Sequence, residues 1–569
     1  MNKRFLSRAR ILTILFLCAT VIIVGRLYYL QVMRGGDYAA RADAQFTPAS
    51  QPLLSRGLIY ITDNTGAHIA AALMKEGYSI AVNPKKVTDA NALCDEVASS
   101  TDTTRAGCLD KATKPNTQYQ LLVRHLSPEV GTDLISKQIP GLIVQEDRWR
   151  EYPGGSLAAQ ELGFVAYNNS NTQEGRYGLE RYYNSTLTRT DDDLYANFFV
   201  ELFGGVKSLI QGEPQAGDLV TTIDANVQSE LEQELAAYQQ KWNPQLAGGI
   251  IMNPQTGEIY AMALTPTFDL NTFNTVDDPL MYANPMAENV YEMGSIIKPL
   301  TMAAGLDSGA VTENETYNDT GCITVDKKKI CNFDLKARGV IPMQQVLSQS
   351  LNVGASFVAT QMGSTTMRNY FLDHYGLSQK TGIDLPGEIT GIFNNLQSPR
   401  VVEYDTASFG QGIAMTPLAT VRALAVLANG GYLVTPHLTK SIRYTTGLTK
   451  DLDWPKSGPV LKPETATTIQ RMLTNVVDQA FAKDLRFEHY SVGAKTGTAQ
   501  IANPAGGGYY SDRYLHSYFG FFPSYNSKFI IFLFGYEPKG ATYSSETWGT
   551  TFHRLVQFLI NYYDVPPDR

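Results

Sequence analysis

The sequence is poor in the features that mark metalloproteins, nucleic-acid-binding proteins and repeat proteins. It has five cysteines and seven histidines, but no CxxC pair and no HExxH motif, so we expect neither a metal nor another cofactor. Lys and Arg number 47 against 55 Asp and Glu, and the resulting net charge of −8 disfavours nucleic acid as a partner. No internal repeat or long low-complexity tract is present.

The composition describes a globular protein of more than one domain. A chain of 569 residues exceeds the usual size of one domain, so two or three are expected. A hydrophobic fraction of 43% with 18% charged residues is enough to build sizeable cores.

The N-terminus has the pattern of a membrane anchor. Basic residues precede a largely apolar run over residues 11–33, and about 20 residues suffice to cross a bilayer as a helix. The basic flank places residues 1–10 in the cytoplasm, while Arg26 can extend to the outer interface. A cleaved signal peptide is the alternative, but no small-x-small cleavage pattern follows the run. We expect an uncleaved single-span anchor in the cell membrane, with everything after it extracytoplasmic.

The cysteine spacing fits an exported protein. Cys94 with Cys108, and Cys322 with Cys331, are close enough in sequence to close small loops, and an exported domain permits disulfides. We expect both bridges; four unpaired thiols are the alternative.

The remaining chain is predicted to form two α+β domains, residues 34–212 and residues 213–569, joined by a Gly- and Pro-containing linker at 211–217. The first carries no motif that we can assign to chemistry. In the second, sheet strands at both ends with helices between them indicate an α+β fold. The predicted elements are strands at 218–224, 248–252 and 258–262, a helix at 227–238, a turn at 253–257, and strands around Lys495 and Ile530.

Ser295 and Lys298 form the only Ser-x-x-Lys pattern in the sequence. On a helix, positions i and i+3 share a face, so the hydroxyl and the amine can meet. A serine is a poor nucleophile until a base takes its proton, and a lysine whose pKa is lowered can be that base. Gly294 and Pro299 suit a tight entry into the first turn of a helix.

Two further short patterns follow, and each has competitors elsewhere in the chain. Ser350-Leu-Asn352 has the same form as Ser524-Tyr-Asn526, and Lys495-Thr-Gly497 has the same form as residues 380–382 and 456–458. Context favours Lys495, because residues 380–382 enter a turn-rich loop and Lys456 lies between two prolines. In a strand, the hydroxyls of Thr496 and Thr498 would point to one face.

The three patterns in this order are the signature of penicillin-binding proteins and class A β-lactamases. The chain resembles the class B, monofunctional penicillin-binding proteins in particular, from about residue 52 to residue 523 except for residues 75–145. Met293 departs from the family, which usually has Pro there. The stretches that carry the resemblance are Ser55-Arg-Gly-Leu-Ile-Tyr-Ile-Thr-Asp63, Arg150-Glu-Tyr-Pro-Gly154, Leu162-Gly-Phe164, Tyr177-Gly-Leu-Glu180, Thr222-Ile-Asp224, Thr381-Gly-Ile-Asp-Leu-Pro-Gly-Glu388, Phe409-Gly-Gln-Gly412, Thr416-Pro417 and Phe519-Gly-Phe-Phe-Pro523.

The resemblance implies a membrane-anchored protein with an elongated N-terminal pedestal, of the dimerisation type, before a penicillin-binding domain. That domain has a serine β-lactamase-like fold, an antiparallel sheet flanked by helices. It implies a peptidoglycan D,D-transpeptidase that cross-links stem peptides through a serine acyl-enzyme. β-Lactams would act as covalent inhibitors.

The resemblance also implies roles for the residues of the three patterns. Ser295 attacks the D-Ala-D-Ala carbonyl, and Lys298 is the base. Ser350 and Asn352 relay protons and hold the substrate amide, while Lys495 supplies positive charge.

In the same strand, the segment Thr496, Gly497 and Thr498 binds substrate, the two threonines holding its terminal carboxylate. The backbone N–H groups of Ser295 and Thr498 form the oxyanion hole.

Other functions are weighed on the same resemblance. A β-lactamase has no need of an anchor and an extra module, and a drug-sensing receptor would need a cytoplasmic signalling part before the span. A catalytically inactive scaffold of the wall-synthesis complex remains an alternative. Two features favour a septal role over elongation: the run Lys495-Thr-Gly-Thr-Ala-Gln-Ile501 and the lack of a long C-terminal extension. With no glycosyltransferase domain visible, we expect a membrane glycosyltransferase and other division or elongation proteins as partners.

Overall fold

The computed structural model describes Thr20 and residues 55–115, 117–168, 172–189, 216–480 and 487–569. The predicted cytoplasmic tail, nearly all of the predicted anchor and most of the predicted linker lie outside these residues and remain predictions. Within the described ranges, no helix has the length and hydropathy needed to cross a membrane. Ser55–Arg569 forms one compact unit.

The described part of this unit contains both strands and helices. The strands are β1 (Ile59–Thr62), β2 (His68–Val82), β3 (Gln120–Leu126), β4 (Leu142–Glu151), β5 (Val165–Tyr167), β6 (Gln173–Gly175), β7 (Gly217–Asp224), β8 (Leu246–Met252), β9 (Ile259–Thr265), β10 (Thr316–Asp319), β11 (Cys322–Val325), β12 (Lys328–Cys331), β13 (Gly339–Pro342), β14 (Leu433–Val434), β15 (Thr439–Tyr444), β16 (Thr449–Asp451), β17 (Lys456–Ser457), β18 (Gly493–Ala502), β19 (Tyr509–Phe522) and β20 (Phe529–Tyr536). The α-helices are Ala90–Ser100, Arg105–Ala112, Pro128–Ser136, Ala159–Leu162, Gly178–Tyr182, Asn184–Leu187, Ala225–Trp242, Pro285–Glu288, Lys298–Asp307, Gln344–Ser348, Asn352–Asn369, Val401–Ala407, Pro417–Ala428, Pro463–Ala480 and Ser544–Tyr562.

A seven-stranded sheet joins the N-terminal part of the unit to the rest. Its order is β16-β15-β7-β1-β2-β3, with β4 also paired to β2. Strand β1 pairs antiparallel with β2 and parallel with β7. The predicted domain boundary at residue 212 stays a prediction, and this sheet contains strands from both sides of it.

Three stretches that carried the family resemblance meet in one buried ion-pair network. Glu180 has no exposed surface and contacts the guanidinium groups of Arg56 and Arg150, the latter at 2.6 Å. Arg56 also donates to the Glu180 carbonyl at 2.7 Å, and Arg150 donates to the Gly57 carbonyl at 2.7 Å. A buried carboxylate needs such partners, because an unpaired charge away from water is costly.

The second sheet forms the centre of the C-terminal part. It is antiparallel, with the order β18-β19-β20-β8-β9, so β18 is an edge strand. The predicted strands at 218–224, 248–252 and 258–262 and around Lys495 and Ile530 are all confirmed by β7, β8, β9, β18 and β20, with ends that differ by at most three residues for the three predicted ranges.

Helix Ala225–Trp242 shows how local sequence produces a packing face. The Asp224 carboxylate caps its N-terminus by accepting from the backbone N–H groups of Asn226 and Val227. Buried residues at helical spacing then form one apolar face, which packs with the sheet and with helix Ser544–Tyr562 in one core. The members on the first helix are Val227, Leu231, Leu235 and Tyr238. The helix predicted at 227–238 is therefore confirmed.

Both expected disulfides are present. Cys94–Cys108 ties helix Ala90–Ser100 to helix Arg105–Ala112, and Cys322–Cys331 joins the two strands of the β11–β12 hairpin. The first bridge belongs to a core in the N-terminal part of the unit. The second lies beside a large groove that Ser295 also lines.

Candidate active site

Ser295 lies in a tight turn that leads into a helix. The 3-10 turn Gly294–Ile297 continues as helix Lys298–Asp307, with Pro299 in its first turn. This places Lys298 Nζ 2.9 Å from Ser295 Oγ. The contact follows from the spacing, because residues three apart lie on the same side of such a turn.

Gly294 allows this turn to lie close to two neighbouring segments. Its φ of 65° is in the left-handed region, and a Cβ on it would come within 3.0 Å of the Thr498 carbonyl. Its N–H donates to the Gly410 carbonyl at 3.1 Å. The preceding Met293 is buried, and its carbonyl accepts from Ser517 Oγ at 2.8 Å. The turn therefore forms without the proline that is usual in the family.

Ser350 connects the Ser295 turn to a second helix. Its φ of 55° is left-handed, and both its carbonyl and its hydroxyl reach Lys298 Nζ, at 2.6 and 3.2 Å. Asn352 begins helix Asn352–Asn369 two residues later. Its side-chain amide donates to the Cys331 carbonyl at 2.9 Å and so is held by the disulfide-linked hairpin.

Lys495 reaches the same point from the edge strand β18. Its Nζ donates to Ser350 Oγ and to the Thr496 carbonyl, each at 2.9 Å. The structure thus brings Ser295, Lys298, Ser350 and Lys495 into one chain of contacts. Asn352 lies beside that chain.

The two lysines are buried near one another, and this shifts both pKa values. Lys298 and Lys495 are 1% and 3% exposed. Burial, followed by the charge of Lys495, lowers the pKa of Lys298 well below its usual range. Burial also lowers the pKa of Lys495 to about 7. The arrangement therefore favours a neutral amine beside the Ser295 hydroxyl at neutral pH.

A groove of about 1610 Å³ opens over these residues. Lys298 and Gly497 lie outside its lining. A side chain at Gly497 would meet the Met293 carbonyl and Ser517 Oγ, so this glycine lets β18 pack against the Ser295 turn. The predicted site residues that line the groove are Ser295, Ser350, Asn352, Lys495, Thr496 and Thr498.

The two threonines of β18 differ in their bonding. Thr498 Oγ1 accepts from the N–H of Ser544, at the start of helix Ser544–Tyr562. The Thr496 hydroxyl makes no hydrogen bond to any described residue. It is therefore available to a ligand in the groove.

The competing short patterns lie elsewhere. Lys380 is exposed in a loop, Lys456 belongs to the two-residue strand β17, and Ser524 is buried against Thr474, whose hydroxyl is 2.7 Å away. None of these three residues belongs to the groove lining.

Sequence patterns did not reveal several other residues of the groove. Glu292 lines it; its carboxylate accepts from the N–H of Gly412 at 3.1 Å and from the hydroxyl of Tyr509 at 3.2 Å. Burial raises the pKa of Glu292 to about 7. The sequence offered one signal that Glu292 belongs to the site, namely its position three residues before Ser295. Lys328, Lys329 and Cys331 of the β11–β12 hairpin also line the groove, with Arg338 and Arg400.

Two family models cover most of the described unit. Residues 247–557 match the penicillin-binding protein transpeptidase domain, and residues 54–196 match the penicillin-binding protein dimerisation domain. The first match spans more than half of the chain and contains every residue of the three patterns.

Among curated proteins, similarity extends over nearly the whole chain. Stage V sporulation protein D of Bacillus subtilis is 29% identical, over 94% of this chain and 82% of its own length. Peptidoglycan D,D-transpeptidase FtsI of Escherichia coli K12 is 25% identical, over 97% of this chain and 91% of its own length.

Solved structures share the fold. Penicillin-binding protein 2X of Streptococcus thermophilus aligns with a TM-score of 0.73 at 22% identity, over 90% of this chain and 81% of that one. Penicillin-binding protein 3 of Mycobacterium tuberculosis, complexed with aztreonam, aligns at 0.66 and 22%, over 91% of this chain and 98% of that one. The mixed α+β fold, the matched domains and the full-length relatives agree. This chain belongs to the penicillin-binding protein family of transpeptidases.

Proposed function

We propose that this transpeptidase cross-links peptidoglycan stem peptides through an acyl-enzyme on Ser295. The relatives named as peptidoglycan D,D-transpeptidases support this substrate class. The observation that carries the proposal is the 2.9 Å contact between Ser295 Oγ and the buried amine of Lys298.

The bonding around Lys298 suits a general base. A neutral amine has two N–H donors and one lone pair, and the Ser350 carbonyl and hydroxyl can accept both donors. The lone pair then faces the Ser295 hydroxyl and takes its proton as Oγ attacks the carbonyl of the penultimate D-Ala. That proton passes to the leaving D-Ala amine through Lys298 or through Ser350. An amine on the stem peptide of a second peptidoglycan strand later attacks the ester and releases Ser295.

The groove side of β18 provides the proposed anchor for the donor's terminal carboxylate. Lys495 contributes positive charge. The Thr496 hydroxyl can donate a hydrogen bond to the carboxylate, because it makes none to any described residue. Thr498 lies beside them, and Gly497 keeps the strand close to the Ser295 turn. Asn352 would hold the substrate amide.

Backbone groups complete the proposed machinery. The N–H groups of Ser295 and Thr498 would hold the oxyanion of the tetrahedral intermediate. Removing one such donor in a comparable hydrolase costs about 3–4 kcal/mol. The Gly294 turn supports this role, because a Cβ on Gly294, the residue before Ser295, would lie within 3.0 Å of the Thr498 carbonyl.

Covalent labelling tests the proposal. Fluorescent penicillin should label the wild-type protein and fail to label Ser295→Ala, while a Ser524→Ala control should label normally. Labelling that survives in Ser295→Ala would remove Ser295 from the mechanism. The same experiment addresses the inactive scaffold, since a scaffold without catalytic chemistry would not be acylated in the wild type.

We further propose that residues 11–33 anchor the protein in the cell membrane, with residues 1–10 cytoplasmic and the described unit outside. The apolar run with its basic flank supports this topology. A membrane glycosyltransferase is the proposed partner, contacted through the anchor and the N-terminal part. Co-purification with such an enzyme, lost when residues 1–212 are deleted, is the expected result.

Within cell-wall synthesis we propose a role at the division septum. Support comes from the resemblance of Lys495-Thr-Gly-Thr-Ala-Gln-Ile501 to division-type enzymes. Depletion followed by microscopy distinguishes the two roles. Filamentous cells are expected, whereas rounded cells would establish the alternative, an elongation-type transpeptidase.

A further inference from the structure

The β11–β12 hairpin carries two lysines on the rim of the groove. Lys328 and Lys329 are exposed, and both line the groove together with Ser295 and Ser350. The hairpin is closed by the Cys322–Cys331 disulfide and turns at Asp326 and Lys327, both of which have left-handed φ angles.

Both ends of this hairpin are fixed to the body of the protein. At the tip, the Asp326 carboxylate accepts from the N–H of Val402, in the first turn of helix Val401–Ala407, at 3.0 Å. At the base, the Cys331 carbonyl accepts from the Asn352 side chain at 2.9 Å. The next residue, Asn332, donates to both carboxylate oxygens of buried Asp319, at 2.9 and 3.0 Å. The lysine backbones are therefore held in place relative to the site.

Most other charges on the groove already have partners. Arg338 pairs with Asp334 at 2.7 Å, and Arg400 pairs with Glu403 at 3.1 Å. Lys495 is buried and bound to Ser350. Within the described ranges, Lys328 and Lys329 form no ion pair. The two are consecutive in β12, so their side chains point to opposite faces of that strand. The rim thus presents one cation on each face of β12, and no described carboxylate neutralises either of them.

We propose that this pair of lysines binds a second carboxylate of the donor peptide, one upstream of its C-terminal carboxylate, with one of the two making the direct contact. This proposal rests on the proposed function, because it concerns the peptide that acylates Ser295. A peptide substrate would then be held at two anionic points, the terminal carboxylate beside β18 and an upstream carboxylate at the hairpin. The two lysines determine specificity and take no part in bond breaking.

The chemistry of the two cations fits this role. An exposed ammonium attracts a carboxylate without specific geometry, and a fixed backbone reduces the entropy lost when the ligand is held. A β-lactam that carries only the carboxylate that mimics the peptide terminus has no second carboxylate for the hairpin to bind. Removing the lysines should therefore weaken the binding of a carboxylated peptide and leave acylation by penicillin unchanged.

The test compares two donor peptides that end in D-Ala-D-Ala. One carries a free α-carboxylate on an upstream glutamyl residue, and in the other that carboxylate is amidated. D-Ala release is measured for the wild type, for the Lys328→Ala/Lys329→Ala variant, and for Lys440→Ala/Lys450→Ala as a control. The control removes two exposed lysines of the seven-stranded sheet, outside the groove lining, and so the same net charge.

The hairpin variant should lose about tenfold in kcat/KM with the carboxylated peptide, as expected for one charge-assisted contact, and less than about twofold with the amidated one. The control variant should lose less than about twofold with both. An equal loss with both peptides, or no loss with either, overturns the proposal.

Labelling by fluorescent penicillin separates this outcome from failure of the proposed function. It should be unchanged in the hairpin variant, which also verifies that the site is folded. Lys328→Glu/Lys329→Glu provides a second variant, with a larger loss expected for the carboxylated peptide only.

Discussion

Lys495 Nζ donates to Ser350 Oγ at 2.9 Å, although 145 positions separate the two residues in the chain. The same hydroxyl lies 3.2 Å from Lys298 Nζ, so one serine joins two buried lysines. Because Lys298 contacts Ser295, the proposed nucleophile, a continuous chain of contacts runs from Ser295 through Lys298 and Ser350 to Lys495.

Replacing Ser350 with Ala should slow acylation by about 100-fold, the usual size of a general acid–base contribution. The change removes the hydroxyl contacted by both lysines but leaves the backbone carbonyl that binds Lys298. Stopped-flow acylation by a fluorescent penicillin measures the effect. Ser348→Ala is the control, since Ser348 also lines the groove but bonds to Gln344 instead of a lysine. Equal rates in the two variants would contradict the relay.

Lys495→Met should move the acidic limb of the pH–rate profile for acylation to higher pH. The positive charge of Lys495 lowers the pKa of Lys298, so its removal lets that pKa rise and the neutral base then forms only at higher pH. The pH at which the acidic limb lies reports the pKa of Lys298. It is read separately from the maximal rate, because the maximal rate also falls if Lys495 binds the carboxylate of the substrate. Lys380→Met, in the exposed loop, should leave the limb in place. An unmoved limb in Lys495→Met would disprove the electrostatic coupling.

Glu180→Gln should destabilise the unit by about 3–5 kcal/mol, the usual cost of breaking a buried ion pair by removing one partner. Arg56 and Arg150 would lose their shared carboxylate in a buried site. Urea unfolding gives the free energy. Glu174→Gln is the matched control, because Glu174 pairs with Arg176 at the surface and should cost less than about 1 kcal/mol. Similar costs for the two variants would refute a structural role for the network.

Glu292 should make the protein less stable as the pH rises from about 4.5 to about 7. Its folded pKa is raised from 4.5 to about 7 by burial, so the protonated carboxyl is favoured in the folded state and this contribution is lost as the group ionises. Glu292→Gln lacks this titration. Its stability relative to the wild type should therefore increase by roughly 3 kcal/mol between about pH 4 and about pH 8. Urea unfolding at both pH values measures the difference, and a difference independent of pH would show that Glu292 has an ordinary pKa.

Local patterns in the sequence predicted the elements whose causes are local. The contact between Ser295 and Lys298 follows from a spacing of three on a helical turn. The strand signals around Lys495 and Ile530 and the helical pattern after Asp224 were also readable in short stretches of sequence. The two disulfides follow from cysteines that lie close together in the sequence.

Other features depended on packing between distant segments and could not be derived from any one stretch. Glu292 carries no motif, and its raised pKa comes from burial, which the hydrogen bonds from Tyr509 and Gly412 offset only in part. The hairpin lysines resemble ordinary surface charges until the fold places them on the groove. Strand β1 pairs with β7 across the predicted domain boundary, because β7, a parallel strand far along the chain, supplies partners for the backbone hydrogen-bonding groups on one edge of β1.

The sequence by itself determined the chemistry available to this protein: a serine with a lysine three positions later, a second lysine in a strand of small residues, and the family to which they belong. Only the tertiary structure decided that Lys495 and Ser350 meet and that both lysines are buried. The reason is physical, since a pKa depends on solvent and on neighbouring charge, and both are fixed by residues remote in the chain.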